Sequence, residues 1–187
     1  MSQSDATKTM SGDQLAAAVG AEAAEALRDA ADLIRHCLSQ LSDEQVWGRD
    51  AEERNSIGNL ILHLCGNVRQ WLISGIGGAK DIRDRPREFA ERGPIPKTEL
   101  LRKLDEVVRE ASAVLSKVTA DRLMRRLRIQ GFEVSGLGAI FSAVPHFRGH
   151  AQEVVHITRD LVGSRYRFRW VPTSPDQGAP QSEPNSA

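Results

Sequence analysis

Residues 57–74 read IGNLILHLCGNVRQWLIS, and Arg69 is the only charged side chain in this stretch. Wound into a helix, the stretch presents apolar side chains on almost every side, which is typical of a helix buried among other helices. Asn55 or Ser56 supplies a side-chain oxygen for the first unpaired amides, and Gly75 ends the pattern. The stretch therefore predicts a buried central helix over residues 57–74.

Three further helical patterns lie on either side of this stretch. Apolar residues recur every three or four positions from Asp13 to Leu41, after Thr98 up to Val118, and over residues 137–162. Pro145 lies inside the last pattern and is expected to bend that helix because proline lacks a backbone N–H. No strand pattern is convincing, so the predicted fold class is all-α, a four-helix bundle whose long links leave the helix directions open.

The remaining segments lack a helical period. Residues 42–49 are predicted to form a loop, and residues 79–97, which are charged and contain three prolines, a long connection at the surface. Residues 123–134 are predicted to be an irregular or briefly extended crossover. The polar ends, residues 1–12 and 171–187, are predicted to be a disordered arm and a disordered tail around one domain over residues 13–170.

The composition narrows the classes of function. The chain has 187 residues, enough for one domain with a substantial core, and its 25 basic and 25 acidic residues cancel. A formal charge of zero argues against general attraction to nucleic acid or to an anionic membrane surface. Cys37 and Cys65 form no CxxC motif, no apolar segment follows a basic start, and no run reaches the ~18 apolar residues of a membrane span. We therefore expect a soluble protein of the reducing cytoplasm without a membrane partner.

Histidines on two of the predicted helices form the candidate site. His146 and His150 are the HxxxH pair of the chain, and a spacing of four places their rings about 40° apart and one turn displaced on a helix. His63 lies in the apolar central stretch. The same helix face carries three side-chain amides: Asn59, Asn67 and Gln70. Buried polar groups cost roughly 1–3 kcal/mol each when unpaired, so these groups need partners in the interior.

One metal ion would account for all three histidines. Three neutral imidazoles leave a divalent ion its full charge and an open position, which is the pattern of catalytic rather than closed structural sites. In such a site the ion would lower the pKa of a bound water toward ~7 or bind a thiolate, with Glu153 as the candidate proton acceptor. The three amides would hydrogen-bond the distal ring nitrogens, waters or a bound ligand. Cys65 is discounted as a ligand because, two residues after His63, it points to roughly the opposite side of the helix.

Each of these residues also has a plainer interpretation. An HxxxH pair on a helix is often two hydrogen-bonded or partly exposed histidines, and His63 alone is most often a core histidine bonded to a neighbour. Glu153 suits a salt bridge to Arg148 or Arg69 as well as it suits proton transfer. The sequence leaves these alternatives open.

Two segments resemble the DinB-like superfamily of damage-inducible and metal-dependent proteins, which includes YfiT-like hydrolases and thiol-dependent transferases. They are NSIGNLILHLCGNVRQW at residues 55–71 and HFRGHAQE at residues 146–153, and the resemblance extends from about Leu27 to Val162. It implies an up-down-down-up four-helix bundle, often a homodimer, that holds a divalent ion, commonly nickel or zinc. One histidine of the second helix and two of the last would bind the ion, and these positions correspond to His63, His146 and His150.

The resemblance also implies two hypotheses on function. Characterised relatives transfer low-molecular-weight thiols such as bacillithiol or use mycothiol as a cofactor in an isomerisation. The leading hypothesis is therefore a metal-dependent hydrolase or a low-molecular-weight-thiol S-transferase. The alternative is a metal-binding or stress-response bundle without turnover.

Two expectations concern partners. A homodimer is implied by the resemblance, and Trp71, Ile73 and Ile76 exceed what one helix face needs for an internal core. Single-stranded nucleic acid is the less favoured partner, through the alternating arginines and aromatics of Arg165–Trp170. The same six residues suit an extended segment that packs its aromatics on the bundle and keeps its arginines in solvent.

Overall fold

The computed structural model describes residues 11–170, so residues 1–10 of the predicted arm and the whole predicted tail lie outside the described residues. Ser11 and Gly12, the last two residues of the predicted arm, begin the first helix. None of the helices between residues 11 and 170 combines the length and the apolar character that crossing a bilayer requires.

The described chain is mostly helical, as predicted, and it also contains one small β-hairpin. The α-helices are α1 (Gly12–Leu38), α2 (Asp43–Trp47), α3 (Ile57–Val68), α4 (Arg85–Ala90), α5 (Lys97–Leu115), α6 (Ala120–Met124) and α7 (Gly136–Val162). A π-helix, Arg69–Ile76, continues α3 directly, and a 3-10 turn, Gly163–Arg165, follows α7. The strands are β1 (Arg126–Ile129) and β2 (Phe132–Ser135).

Four long helices enclose the core. Helices α1 and α3 each pack against both α5 and α7, and apolar side chains from all four are buried between them. Helix α1 approaches α5 closely at Gly20, where a Cβ atom would collide with the carbonyl oxygen of Leu115. The packing brings α3, which carries His63, against α7, which carries the HxxxH pair.

Helix α3 begins where the sequence predicts. The hydroxyl of Ser56 accepts from the amide of Asn59, and the Asn59 side chain accepts from the amide of Ser56. This reciprocal capping fixes the first turn of the helix. The predicted end at residue 74 lies within the π-helix, which reaches Ile76.

The π-helix removes one argument for a dimer. Trp71, Ile73 and Ile76 were interpreted as more apolar surface than an internal core requires, but all three are buried within a single chain. They are enclosed because the π-helix packs against α5, α7 and β1 together. These residues therefore form no exposed patch.

Two linking segments are more ordered than predicted. The predicted loop over residues 42–49 contains α2, whose start is capped reciprocally by Ser42 and Gln45. Residues 79–97 were predicted to lie at the surface, yet they contain α4 and bring the side chain of Glu88 into the interior. The indole nitrogen of Trp47 donates to the Ile95 carbonyl and ties these two links together.

The third link contains the brief extended segment that the sequence allowed. Residues 123–134 include the end of α6 and an antiparallel hairpin in which Arg126 pairs with Ser135 and Ile129 pairs with Phe132. Gln130 and Gly131 turn the chain, with φ of 52° and 83°, a left-handed conformation that glycine adopts without strain. The fold is thus mostly α-helical, as predicted, with one short hairpin in this link.

The segment after α7 turns back along α1. Backbone groups of Arg167 bond to side chains of His36 and Gln40, and Arg169 pairs with Asp29. Phe168 and Trp170 stay largely exposed. The segment therefore packs on the bundle in an extended form, although its aromatics are less covered and its last arginine more engaged than expected.

Candidate metal centre

The three histidines singled out in the sequence meet in one place. One ring nitrogen from each of His63, His146 and His150 lies within 4.8 Å of the others. The Nε2 atoms of His63 and His146 are 2.9 Å apart, and the ring of His150 lies 4.5 Å from that of His146 and 5.3 Å from that of His63, centroid to centroid. His63 is buried, whereas the two histidines of α7 are half-buried.

The elements that carry these rings explain their convergence. His146 and His150 are one turn apart on α7, so their rings lean to the same side of that helix. His63 lies on the face of α3 that packs against α7. The site is thus built on two rigid helices of the bundle, and its partly exposed side is formed by α7.

The buried ring of His63 is held from behind by a carboxylate. Its Nδ1 lies 3.0 Å from Oε2 of Glu88, and only 7% and 9% of the two side chains are exposed. A guanidinium nitrogen of Arg83 lies 3.1 Å from the same Nδ1, but it donates to Glu88 Oε2 at 2.8 Å. Because a carboxylate only accepts, Nδ1 carries the hydrogen and Nε2 presents its lone pair to the other histidines.

Arg83 completes a buried ion pair with Glu88. Its Nε donates to Oε1 of Glu88 at 2.7 Å, and only 3% of its side chain is exposed. Burial alone would raise the pKa of Glu88, but hydrogen bonds from Arg83 and His63 and their charges outweigh burial and hold it below its usual value. Glu88 is therefore a stable carboxylate at neutral pH.

The predicted ligand-binding amide Asn59 serves a different purpose. It is fully buried, and its Nδ2 donates to the backbone carbonyls of Glu88 and Glu91 at 2.9 and 3.0 Å. Its Oδ1 accepts from Arg49 and from the Ser56 hydroxyl. Asn59 thus fastens the α4 segment to α3 and has no group left for a ligand.

The other two amides lie further along the same helix. Gln70 accepts from Arg83 and donates to Asp81, so it supports the Arg83–Glu88 pair from the far side. Asn67 is buried, and its Oδ1 has no hydrogen-bond partner among the described residues. The structure therefore brings Gln70 into the supporting network and leaves the role of Asn67 open.

A second carboxylate lies on the outer side of the site. Oε2 of Glu153 lies 2.6 Å from Nδ1 of His150, with 26% of the histidine side chain and 44% of the glutamate side chain exposed. Arg69, an alternative partner for Glu153 in the sequence, pairs instead with Glu110. Glu153 thus contacts one ring nitrogen of His150.

The surroundings of His146 favour its neutral form. Burial, the largest cause, and the charges of His150, His63, Arg83 and Arg85 together lower the pKa of His146 to about 4. A histidine with such a pKa carries no proton charge at pH 7, which is the form that binds a metal. The electrostatics of the site therefore oppose protonation at the ligand position.

Cys65 faces away from the histidines. It lines a cavity of about 500 Å³ between α3, α5 and the α4 segment, and it does not belong to the group of converging ligand atoms. Burial raises the pKa of its thiol to about 12. Its exclusion as a metal ligand agrees with this geometry.

The donor set fits a divalent transition metal. Three imidazole nitrogens suit such ions, and two of the three rings have a carboxylate at one ring nitrogen, as ligating histidines commonly do. The 2.9 Å between Nε2 of His63 and Nε2 of His146 is shorter than the roughly 3.4 Å expected between neighbouring ligands of a tetrahedral ion with bonds of about 2.1 Å. Small side-chain rotations would bring all three nitrogens to one ion.

Sequence reasoning missed Glu88 and Arg83. Both lie in residues 79–97, where prolines and charges hide any helical period. The available signal was indirect: His63 and Asn59 in an apolar helix required interior partners, and a folded-back link supplies them.

Comparison with known proteins places the chain among helical relatives. The model of the family described as "Protein of unknown function (DUF1572)" matches residues 15–174. A solved conserved protein from Enterococcus faecalis is similar with a TM-score of 0.65 and 16% identity, over 76% of this chain and 96% of that chain. A solved DinB-like protein from Bacillus subtilis is similar with a TM-score of 0.59 and 15% identity, over 79% of this chain and 96% of that chain. The comparison with curated proteins yields no match.

Proposed function

Because the chain belongs to the DUF1572 family and has a DinB-like fold, we propose that it binds a divalent metal ion through His63, His146 and His150. The likeness to a solved DinB-like protein supports, at the level of the fold, the resemblance noted in the sequence. The observation that carries the proposal is the convergence of three ring nitrogens within 4.8 Å of one another. Nickel and zinc are the proposed ions, since imidazole donors suit both.

The proposed activity is that of a metal-dependent hydrolase or a low-molecular-weight-thiol S-transferase. A divalent ion held by three neutral nitrogens would activate a water or a thiolate at its open position. Glu88 fixes the tautomer of His63, and Glu153 fixes the ring of His150. Glu153 is also the proposed proton acceptor, because more of its side chain reaches solvent than that of Glu88.

A second candidate is a metal-binding bundle protein without turnover. The supporting observation is the buried network of Glu88, Arg83 and Gln70 behind His63, which links the site to the rest of the fold. An ion that joins α3 to α7 would stabilise this arrangement. Chelation would then lower the melting temperature while hydrolase and thiol-transfer assays stay blank.

The proposed helix order is up-down-down-up. Arg28 contacts Ser112 and Arg35 pairs with Asp105, so residue numbers rise along α1 as they fall along α5. The first and third long helices are antiparallel in that order, which supports the proposal.

A homodimer is also proposed, on the resemblance alone. The elements that carry the three histidines belong to one chain, so the site is complete without a second copy. Light scattering would give a mass of twice the 20.6 kDa of one chain, and a mass of one chain would contradict a dimer.

Metal content tests the proposed site. Elemental analysis and titration with Zn²⁺ or Ni²⁺ should give near-stoichiometric binding for the wild type and a large loss for His146→Ala. The matched control is His156→Ala, since His156 lies on the same helix, has 78% of its side chain exposed and pairs with Asp160. Equal metal in all three proteins would remove the proposed site.

A further inference from the structure

Arg85 is a charged residue near the proposed metal site, and it is not bonded to the histidines or to the carboxylates of that site. We propose that Arg85 selects ligands that carry an anionic group, such as a carboxylate, beside the group that reaches the ion. This inference rests on the proposed function, and it names the chemical class of substrate for that site.

Arg85 is placed beside the histidines by an aromatic ring. Its guanidinium carbon lies 4.9 Å from the centroid of the Phe89 ring, and that centroid lies 4.8 Å from the centroid of His63. The guanidinium carbon of Arg85 is therefore no farther from the His63 ring than the sum of these two distances, which is within the electrostatic screening length of roughly 10 Å at 0.1 M ionic strength. The charge of Arg85 therefore acts on the site.

The guanidinium has donors to spare. Arg85 is exposed and forms no salt bridge within residues 11–170. The contact with the Phe89 ring is a cation–π contact, which uses none of the N–H donors of Arg85 in a hydrogen bond to a carboxylate. The N–H edge of a guanidinium matches a carboxylate, because the two groups form parallel hydrogen bonds.

The other arginine near the site has a carboxylate partner. Arg83 forms two hydrogen bonds with Glu88. The carboxylate of Glu153 lies against His150 on α7, whereas Arg85 lies on α4. Among the described residues, Arg85 is therefore an arginine beside the three histidines without a carboxylate partner, and it would add to the positive charge of a bound ion.

Two small thiols of similar length separate charge from metal affinity. The carboxylate 3-mercaptopropionate and the alcohol 3-mercapto-1-propanol present the same thiol to the site. Both would be titrated into the Co²⁺-loaded full chain at low salt, with thiolate-to-cobalt absorption as the readout. We expect the carboxylate to bind more tightly than the alcohol by roughly three- to tenfold.

A matched pair of variants assigns the preference to one residue. Arg85→Gln should remove the preference for the carboxylate and leave Co²⁺ binding intact. Arg87→Gln is the control. Arg87 is an exposed arginine on the same short helix, but it lines the cavity beside Cys65. The control should keep the wild-type preference, and added salt should weaken that preference in the wild type.

The outcomes separate the two proposals. Failure of the wild type to bind Co²⁺ overturns the metal site and this inference with it. Co²⁺ binding with no thiolate absorption, with equal affinity for both thiols, or with a preference that survives in Arg85→Gln overturns the anion selectivity alone.

Discussion

Two histidine–carboxylate pairs flank the site, and they differ in burial rather than in chemistry. The inner pair, His63 and Glu88, joins α3 to the α4 segment with less than a tenth of either side chain exposed. The outer pair, His150 and Glu153, lies within one helix, with a quarter or more of each side chain exposed. A third charge, Arg83, is buried with the inner pair. The comparison indicates that the inner pair stabilises the fold and also holds His63 in place, whereas the outer pair only orients the ring of His150.

The largest expected effect is on stability when Glu88 is removed. Glu88→Ala leaves Arg83 buried without its partner, which costs about 3–5 kcal/mol in the free energy of unfolding. Glu153→Ala breaks an exposed pair and should cost less than about 1 kcal/mol. Urea denaturation of the metal-free proteins measures both values. Similar losses for the two variants would contradict the distinction between inner and outer pair.

Two glycines next to these pairs allow a smaller test. A Cβ atom at Gly66 would collide with Oε1 of Glu88, whereas one at Gly149, beside His150, meets nothing within 4 Å. Gly66→Ala should therefore destabilise the fold by roughly 1–3 kcal/mol through overpacking. Gly149→Ala should stabilise it by about 0.5–1 kcal/mol, because alanine is the better helix former. Thermal unfolding of the two variants gives the signs, and a stabilising Gly66→Ala would exclude close packing of Glu88 against α3.

Metal affinity distinguishes the pairs as positioning groups. Glu88→Gln removes the charge that holds the tautomer of His63, and a change of this kind typically weakens metal binding about 10–100-fold. Glu153→Gln should weaken it by less, since solvent competes for that contact. Competition titration with a chelating dye measures both constants. A larger loss of metal affinity in Glu153→Gln than in Glu88→Gln would contradict the conclusion that Glu88 is the more important positioning group.

The smallest effect is a change of stability with pH. The pKa of Glu88 is held below its usual value in the folded protein. Such a carboxylate stabilises the fold above its unfolded pKa of about 4.3, and the contribution disappears as the pH falls through the folded pKa. The stability advantage of the wild type over Glu88→Gln should be full at pH 7 and should shrink under acid conditions. The melting temperatures of both proteins would be measured in the presence of a chelator from pH 7 to acid conditions. A difference between the two proteins that stays constant with pH would show that the ionised Glu88 is not the source of the stability advantage.

The same comparison explains which residues of the site could be predicted from the sequence. His146 and His150 were identified by their HxxxH spacing and His63 by its place in an apolar helix, and the family resemblance assigned all three to one ion. Glu153 was identified because its spacing places it on the same side of the helix as His146 and His150. Glu88 and Arg83 reach the site through a link of about twenty residues that folds back, and periodicity carries no information about such long-range contacts.

Local signals also explain the differences in fold. The alternation of basic and apolar residues over 126–129 has the period of a strand, and Gln130-Gly131 supplies a turn, but the segment is too short to outweigh the surrounding helices. The amide of Asn59 was assigned to ligand binding because its need for partners is visible in the sequence, whereas the identity of those partners is not. They are backbone carbonyls of the α4 segment.

Anomalous diffraction from crystals grown with Zn²⁺ tests the central claim most directly. The account predicts one strong peak bonded to Nε2 of His63, Nε2 of His146 and a ring nitrogen of His150, with bonds of about 2.0–2.1 Å. The Nδ1 atom of His63 should remain bonded to Glu88. A zinc peak elsewhere, or three histidines that bond to one another without an ion under saturating zinc, would contradict the metal centre.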